Sequence, residues 1–173
     1  MTKTMENKTI YFAGGCFWGT EHYFKMIKGV VGTTVGYANS IMENPSYKDV
    51  CSGDTLAAET VKVDYDPSLV SLEFLTRMFF HAIDPTSLNR QGNDIGTQYR
   101  TGIYYTDNED LAEIYKVFEE QRSTTEGEIV VEVKALQNFY AAEDYHQDYL
   151  DKNPDGYCHL PYTLFEFARE ANK

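Results

Sequence analysis

Basic residues are scarce in this sequence. Fifteen lysines and arginines stand against 27 aspartates and glutamates, a formal net charge of −12 over 173 residues. A nucleic-acid partner calls for a basic face and a membrane surface for a polybasic cluster, so the composition argues against both. Long apolar runs are also missing. None approaches the roughly 18 residues that span a bilayer. The N-terminal stretch "MTKTMENKTIYF" has neither an apolar signal core nor a small-residue cleavage site. The expectation is a cytoplasmic protein. Cysteine is limited to Cys16, Cys51 and Cys158, irregularly spaced and without a CxxC pair. An odd, irregular set argues against a disulfide-stapled secreted domain, and no ligand spacing supports a zinc site. In a reducing compartment thiols stay free unless they are catalytic or redox-active.

What is present suits one folded domain over residues 1–173. Hydrophobic residues make up 42% and aromatic residues 14%, enough for a real core. No repeat or linker divides the chain. Lys8–Ala13 reads as a strand, Cys16–Ile27 as a helix, and Gly29–Tyr37 as a strand interrupted by glycine. Residues 38–54 and 84–98 read as long loops, where function concentrates. Glu59–Asp66 alternates, with Val61, Val63 and Tyr65 on one face and Lys62 and Asp64 on the other. Ser71 is placed to cap a helix whose Leu72, Leu75, Phe79 and Ile83 form an apolar stripe. Tyr99–Tyr105 and Ile129–Leu136 read as strands. A Thr106/Glu109 capping box is expected to open the helix between them. Residues 141–152 read as a late helix, and 153–173 as a loop-rich tail. The order predicts an α+β fold with a ferredoxin-like βαββαβ core, extended by an appended helix, a strand and the C-terminal tail.

The stretch "YFAGGCFWGTEHYF" raises the chemical question. Gly14 and Gly15 let the chain swing from strand to helix and leave Cys16 near the helix N-terminus. Unpaired amides there favour a thiolate, and the dipole alone would lower a thiol from about 8.5 toward about 7.5. Phe17 and Trp18 add an apolar wall. The residues alone leave other readings open. Cysteine beside aromatics is often plain core, in which case the protein is a non-catalytic binding module. A cysteine at a helix start, with His146 and His159 roughly 130–150 residues on, also suits a papain-like hydrolase, although the local "CGSCW" signature is absent. Outside that reading all four histidines, His22, His81, His146 and His159, read as surface or packing residues with no catalytic role, and Glu21 as a partner of the helix dipole.

"GCFWG" at 15–19 resembles the signature of the peptide methionine sulfoxide reductase A family. Further segments resemble that family in the same order: "GY" at 36–37, "NPSYKDVCSGDT" at 44–55, "AETVKVDYDP" at 58–67, "DPTSLNRQGNDIGTQYRTGIYY" at 84–105 and "YHQDYLDKNPDGYC" at 145–158. The resemblance implies that Cys16 attacks the sulfoxide sulfur and that Glu59 supplies a proton. It implies that Tyr47 and Tyr99 hydrogen-bond the sulfoxide oxygen, that Phe17 and Trp18 hold the methionine methyl group, and that Asp94 positions the substrate backbone. Methionine and a Cys16 sulfenic acid result. Cys158, preferred over Cys51, then closes a disulfide that thioredoxin or another dithiol reduces. The implied substrates are free methionine S-sulfoxide and oxidised proteins or peptides carrying it, and no cofactor or metal is implied. Two departures stand out. "TLAAE" at 55–59 replaces the family's Thr-Gly-His-Ala-Glu, and "YANS" at 37–40 replaces the commoner Tyr-x-Gly-Gly.

Overall fold

The computed structural model describes residues 6–173. The chain runs β1 (Lys8–Gly14), α1 (Phe17–Lys25), β2 (Val30–Ala38), α2 (Tyr47–Cys51), β3 (Ala58–Tyr65) and α3 (Leu72–His81). It continues through β4 (Arg90–Gln91), β5 (Asp94–Ile95), β6 (Thr101–Tyr105), α4 (Leu111–Thr124), β7 (Glu132–Ala135), β8 (Phe139–Ala141), α5 (Tyr149–Lys152) and α6 (Tyr162–Glu170). Six strands form one sheet in the order β7-β6-β1-β3-β2-β8. All neighbours are antiparallel except β6 and β7. β4 and β5 form a separate small hairpin. The architecture is mixed α+β.

Strand alternation decides which residues meet the helices. Ile10 and Phe12 on β1, Val35 and Tyr37 on β2, Val61 and Val63 on β3, and Ile103 on β6 are all fully buried in the main core. Phe12 stacks between Phe24 of α1 and Phe79 of α3, with ring centroids 4.7 and 5.0 Å away. Side chains of this size contribute about 1.5–3 kcal/mol each by burial, so this triad ties both helices to the central strand. The opposite face carries a smaller cluster of Ala13, Ala38, Ala58 and Tyr104. Glu59 pairs in register with Tyr37 and shares the helix-covered face with Val61. A carboxyl group is thereby placed in the core by period-two geometry alone.

The structure corrects several local expectations. Residues 38–54 are not all loop, because α2 forms there on a capping box: Ser46 Oγ accepts from the Asp49 amide at 3.1 Å, and Asp49 Oδ2 accepts from the Ser46 amide at 2.9 Å. Residues 84–98 contain the β4–β5 hairpin and the start of a 3₁₀ turn, Thr97–Tyr99. Thr106 caps nothing; Asp107 opens a 3₁₀ turn ahead of α4 by accepting from the Glu109 amide. Only Glu132–Ala135 of the 129–136 stretch is strand. The late helix over 141–152 is mostly absent. In its place stand the end of β8, a 3₁₀ turn at Asp144–His146 and the four-residue α5. The tail is less loop-rich than its composition suggests, since α6 occupies nine of its residues.

Candidate active site

Cys16 is the N-cap of α1, as its place after the glycine turn implies. Gly15 adopts φ +91°, and a Cβ there would lie 2.9 Å from both Gln91 Cβ and His159 Nε2, so the turn needs glycine for conformation and for space. The expected low thiol pKa does not survive. Burial, followed by the Glu59 charge, pushes the Cys16 thiol up, and the Trp18 amide bonded to the sulfur only partly offsets this. With 6% of its surface exposed, the thiol pays more for desolvation than the helix end returns.

Glu59 lies beside it. Its Oε1 accepts from the Phe17 amide at 3.3 Å, and its Oε2 is buried with no partner among the described residues. Burial, helped by the negative charge of Asp94 and opposed by the Phe17 hydrogen bond, pushes this carboxyl up to about 8. At neutral pH it is a carboxylic acid. Tyr47, first residue of α2, and Tyr99, at the end of the 3₁₀ turn, are half-buried within electrostatic reach of Glu59. Burial, then that charge, raises both hydroxyls, so each stays a protonated donor. Phe17 is buried and Trp18 half-buried. The Trp18 ring stacks on Tyr149 at 3.8 Å, and its Nε1 donates to His146 Nδ1 at 2.9 Å.

Asp94, on β5, accepts at Oδ1 from the Tyr157 hydroxyl at 2.8 Å, while Oδ2 is buried without a partner among the described residues. This contact draws the tail over the site. Cys158 follows directly. A Cβ on Gly19 would stand 2.9 Å from Cys158 Sγ, so the second thiol is seated on the first turn of the helix that Cys16 caps. Both thiols are free. A cleft of about 370 Å³ between α1, α5 and α6 reaches Cys158 and is lined also by His22, Leu150, Leu160 and Phe165. Cys51 ends α2 and is exposed.

Four residues take parts that the sequence reading did not give them. His146 is buried with its ring 4.6 Å from Tyr47 and 5.2 Å from Phe17. Glu143 accepts from the Tyr37 hydroxyl at 2.8 Å and from the Tyr47 amide at 3.1 Å, which fixes α2 against β2. Glu21 is a buried anchor and not a surface partner of the dipole; it accepts from Thr33 Oγ1 and the Asp148 amide. His159 Nε2 meets the Gly14 carbonyl at 3.0 Å. For Glu143 and His146 the signal was available in the run "AEDYHQDY", where charged and aromatic residues alternate without a continuous apolar face.

The departure at Leu56-Ala57 is accommodated. Leu56 takes φ +55° with its side chain outward, and Ala57 is buried. A left-handed conformation costs a non-glycine residue about 1–2 kcal/mol. Leu56→Gly is therefore expected to stabilise the protein by about 0.5–1 kcal/mol, the gain being reduced by the freer unfolded chain. Urea denaturation checks this, with an unchanged Glu59-dependent rate.

A family model described as peptide methionine sulfoxide reductase matches residues 8–173. A peptide methionine sulfoxide reductase MsrA of Lachnoclostridium phytofermentans is 54% identical over 165 residues, covering 95% of this chain and 99% of its own length. The reduced form of Mxr1 from Saccharomyces cerevisiae superposes with a TM-score of 0.85 at 43% identity, over 90% of this chain and 92% of that one. Mxr1 in complex with Trx2 superposes with a TM-score of 0.60 at 31% identity, over 86% and 89%. With a matched model over nearly its whole length and relatives above half identity, the chain belongs to the peptide methionine sulfoxide reductase A family.

Proposed function

We propose that the protein reduces the S-sulfoxide of methionine, free or in proteins, by thiol chemistry at Cys16. The observation that carries the mechanism is the Glu59 carboxyl, buried beside the thiol with one oxygen unpartnered among the described residues, where burial pushes it up to about 8. The substrate sulfoxide meets this pair with its methyl group against Phe17 and Trp18 and its oxygen facing Tyr47 and Tyr99. Asp94 Oδ2 receives a backbone N–H of the substrate. Glu59 passes its proton to the sulfoxide oxygen, and the carboxylate left behind takes the proton of the Cys16 thiol as its sulfur attacks. Both groups being protonated at rest suits this exchange, because the pair relays one proton and gains none. The substrate sulfur is reduced to the thioether, and oxygen with one hydrogen ends on Cys16 as sulfenic acid.

Cys158 then condenses with that acid, releasing water and forming the Cys16–Cys158 disulfide. A dithiol protein reaches the disulfide from the cleft beside Cys158; the relative solved with Trx2 makes thioredoxin the natural reductant. The setting is the cytoplasm. Among the described residues no helix is long and apolar enough to cross a membrane. The strand order β6-β1-β3-β2 supports reading the centre of the sheet as a ferredoxin-like core, with β7 and β8 as additions.

Cys158→Ser tests the recycling half. One equivalent of methionine per chain is expected at the unaltered rate, followed by loss of thioredoxin-driven turnover. Chromatography of product and titration of thiols, two lost per sulfoxide in the unaltered protein, provide the readout. Undiminished steady-state turnover would refute the role of Cys158, and an absence of thiol loss would favour a hydrolase.

A further inference from the structure

The histidine after Cys158 has no part in the scheme above, yet its geometry is specific. Its Nε2 lies 3.0 Å from the carbonyl oxygen of Gly14, at the end of β1. A carbonyl only accepts, so Nε2 carries the hydrogen and Nδ1 holds the lone pair. That Nδ1 is buried and has no partner among the described residues. It faces the gap over the first turn of α1. The position a Cβ would take on Gly19 is 3.1 Å from His159 Nδ1 and 2.9 Å from Cys158 Sγ. An acceptor without a donor and a thiol thus border one small vacancy, which exists because residue 19 has no side chain. The Leu160 amide already donates to Cys158 Sγ at 3.4 Å, an arrangement that favours a thiolate.

We propose that His159 Nδ1 is the proton acceptor that ionises Cys158 for disulfide closure. This rests on Cys158 being the resolving thiol. In this scheme the sulfhydryl hands its hydrogen to Nδ1 across the Gly19 gap that both atoms border. The thiolate attacks the sulfur of the Cys16 sulfenic acid; the S–S bond forms and the S–O bond breaks. The sulfenic sulfur is reduced and the Cys158 sulfur oxidised, so no further oxidant is needed. The departing hydroxide takes the proton back from the imidazolium and leaves as water.

The surroundings support this role. Burial pushes the Cys158 thiol up, so an unaided thiol is mostly protonated at neutral pH. Burial holds His159 below the usual imidazole value, so the ring is neutral with its Nδ1 lone pair free, and the Gly14 hydrogen bond and the Asp94 charge oppose that depression. The groups that face it are the Gly14 carbonyl, Gln91 of β4, the Asp94 carboxylate of β5 and Cys158 itself. Asp94 is the charged one, and its sign favours the imidazolium that forms.

Two substitutions separate this role from a tether. His159→Gln retains a donor toward the Gly14 carbonyl and removes the base; His159→Ala removes both. Reduced protein is mixed with one equivalent of blocked methionine sulfoxide, quenched at intervals, and followed for methionine, free thiols and the disulfide by mass. Methionine formation in the first turnover reports on folding in the same sample. Disulfide closure in His159→Gln is expected to slow on the order of 10²-fold at pH 7 and to recover at alkaline pH as Cys158 ionises unaided. Added imidazole should restore closure in His159→Ala. Closure at the unaltered rate in His159→Gln, with only His159→Ala slow, reduces His159 to a tether and overturns the proposal. A first-turnover rate that falls in step with closure also overturns it. If the unaltered protein forms no Cys16–Cys158 disulfide, the assignment of Cys158 itself fails, and the proposal with it.

Discussion

Cys16→Ser is expected to lower methionine formation by at least about 10⁴-fold, in single turnover and at steady state alike. Two independent causes act together. An alcohol is a far weaker acid than a thiol, and the burial that already pushes the Cys16 thiol up would hold a serine hydroxyl fully protonated. Oxygen also cannot take the second oxygen atom, so the redox half of the reaction has no acceptor even if attack occurred. The loss is not expected to come from unfolding. Serine is smaller than cysteine and is among the preferred residues at a helix N-cap, the position Cys16 holds. A melting temperature equal to or above that of the parent, measured beside product chromatography, therefore separates lost chemistry from lost structure. Turnover within tenfold of the parent would end the assignment.

Glu59→Gln is expected to move activity and stability in opposite directions. With its carboxyl pushed up to about 8, Glu59 is an acid through the neutral range and loses its proton above that. Single-turnover methionine formation in the parent should be sustained to about pH 8 and then decline. The variant should be slower by about 10²-fold or more near neutral pH and lack that decline. The stability effect has a definite sign. Below about 4.5 the folded and unfolded chains both hold the proton, and nothing is at stake. Between about 4.5 and 8 the unfolded chain releases it while the folded chain retains it, so stability falls as pH rises. Glutamine is neutral in both states and removes that loss, which amounts to several kcal/mol at pH 7. For a chain of this size the variant should melt about 5–10 °C higher at pH 7, with the gap closing toward pH 4.5. Calorimetry at the two pH values decides it. An equal melting temperature at pH 7 would mean that Glu59 is ionised and cannot serve as the acid.

The parts of the fold that were legible are those whose pattern is local. Glu59–Asp66 alternates because one face of β3 is core, and Ser71 caps α3 through the Phe74 amide as its position implied. The segment 141–152 misled because its polar residues are committed to distant backbone. Gln147 accepts from the Val35 amide and donates to the Val35 carbonyl, both at 2.9 Å, and Glu143 holds Tyr37 and Tyr47. Such bonds link residues about a hundred positions apart and outweigh a weak helical pattern. At the site, the strand–glycine–cysteine–helix junction was visible, since glycine and helix geometry are local properties. The thiol's pKa was misjudged because its main cause, burial beneath the tail and beside Glu59, arises from tertiary packing. Placing Tyr47, Glu59, Asp94 and Tyr99 near Cys16 depended on family resemblance, as no spacing along the chain encodes their convergence.

Trp18 is the only tryptophan in the chain, and it is held between the Tyr149 ring and a hydrogen bond to His146. Its intrinsic fluorescence therefore originates two residues beyond the helix cap that carries the thiol. Emission wavelength and intensity will follow oxidation and re-reduction of the centre without an attached dye, which opens each half of the cycle to stopped-flow optics in the unlabelled protein.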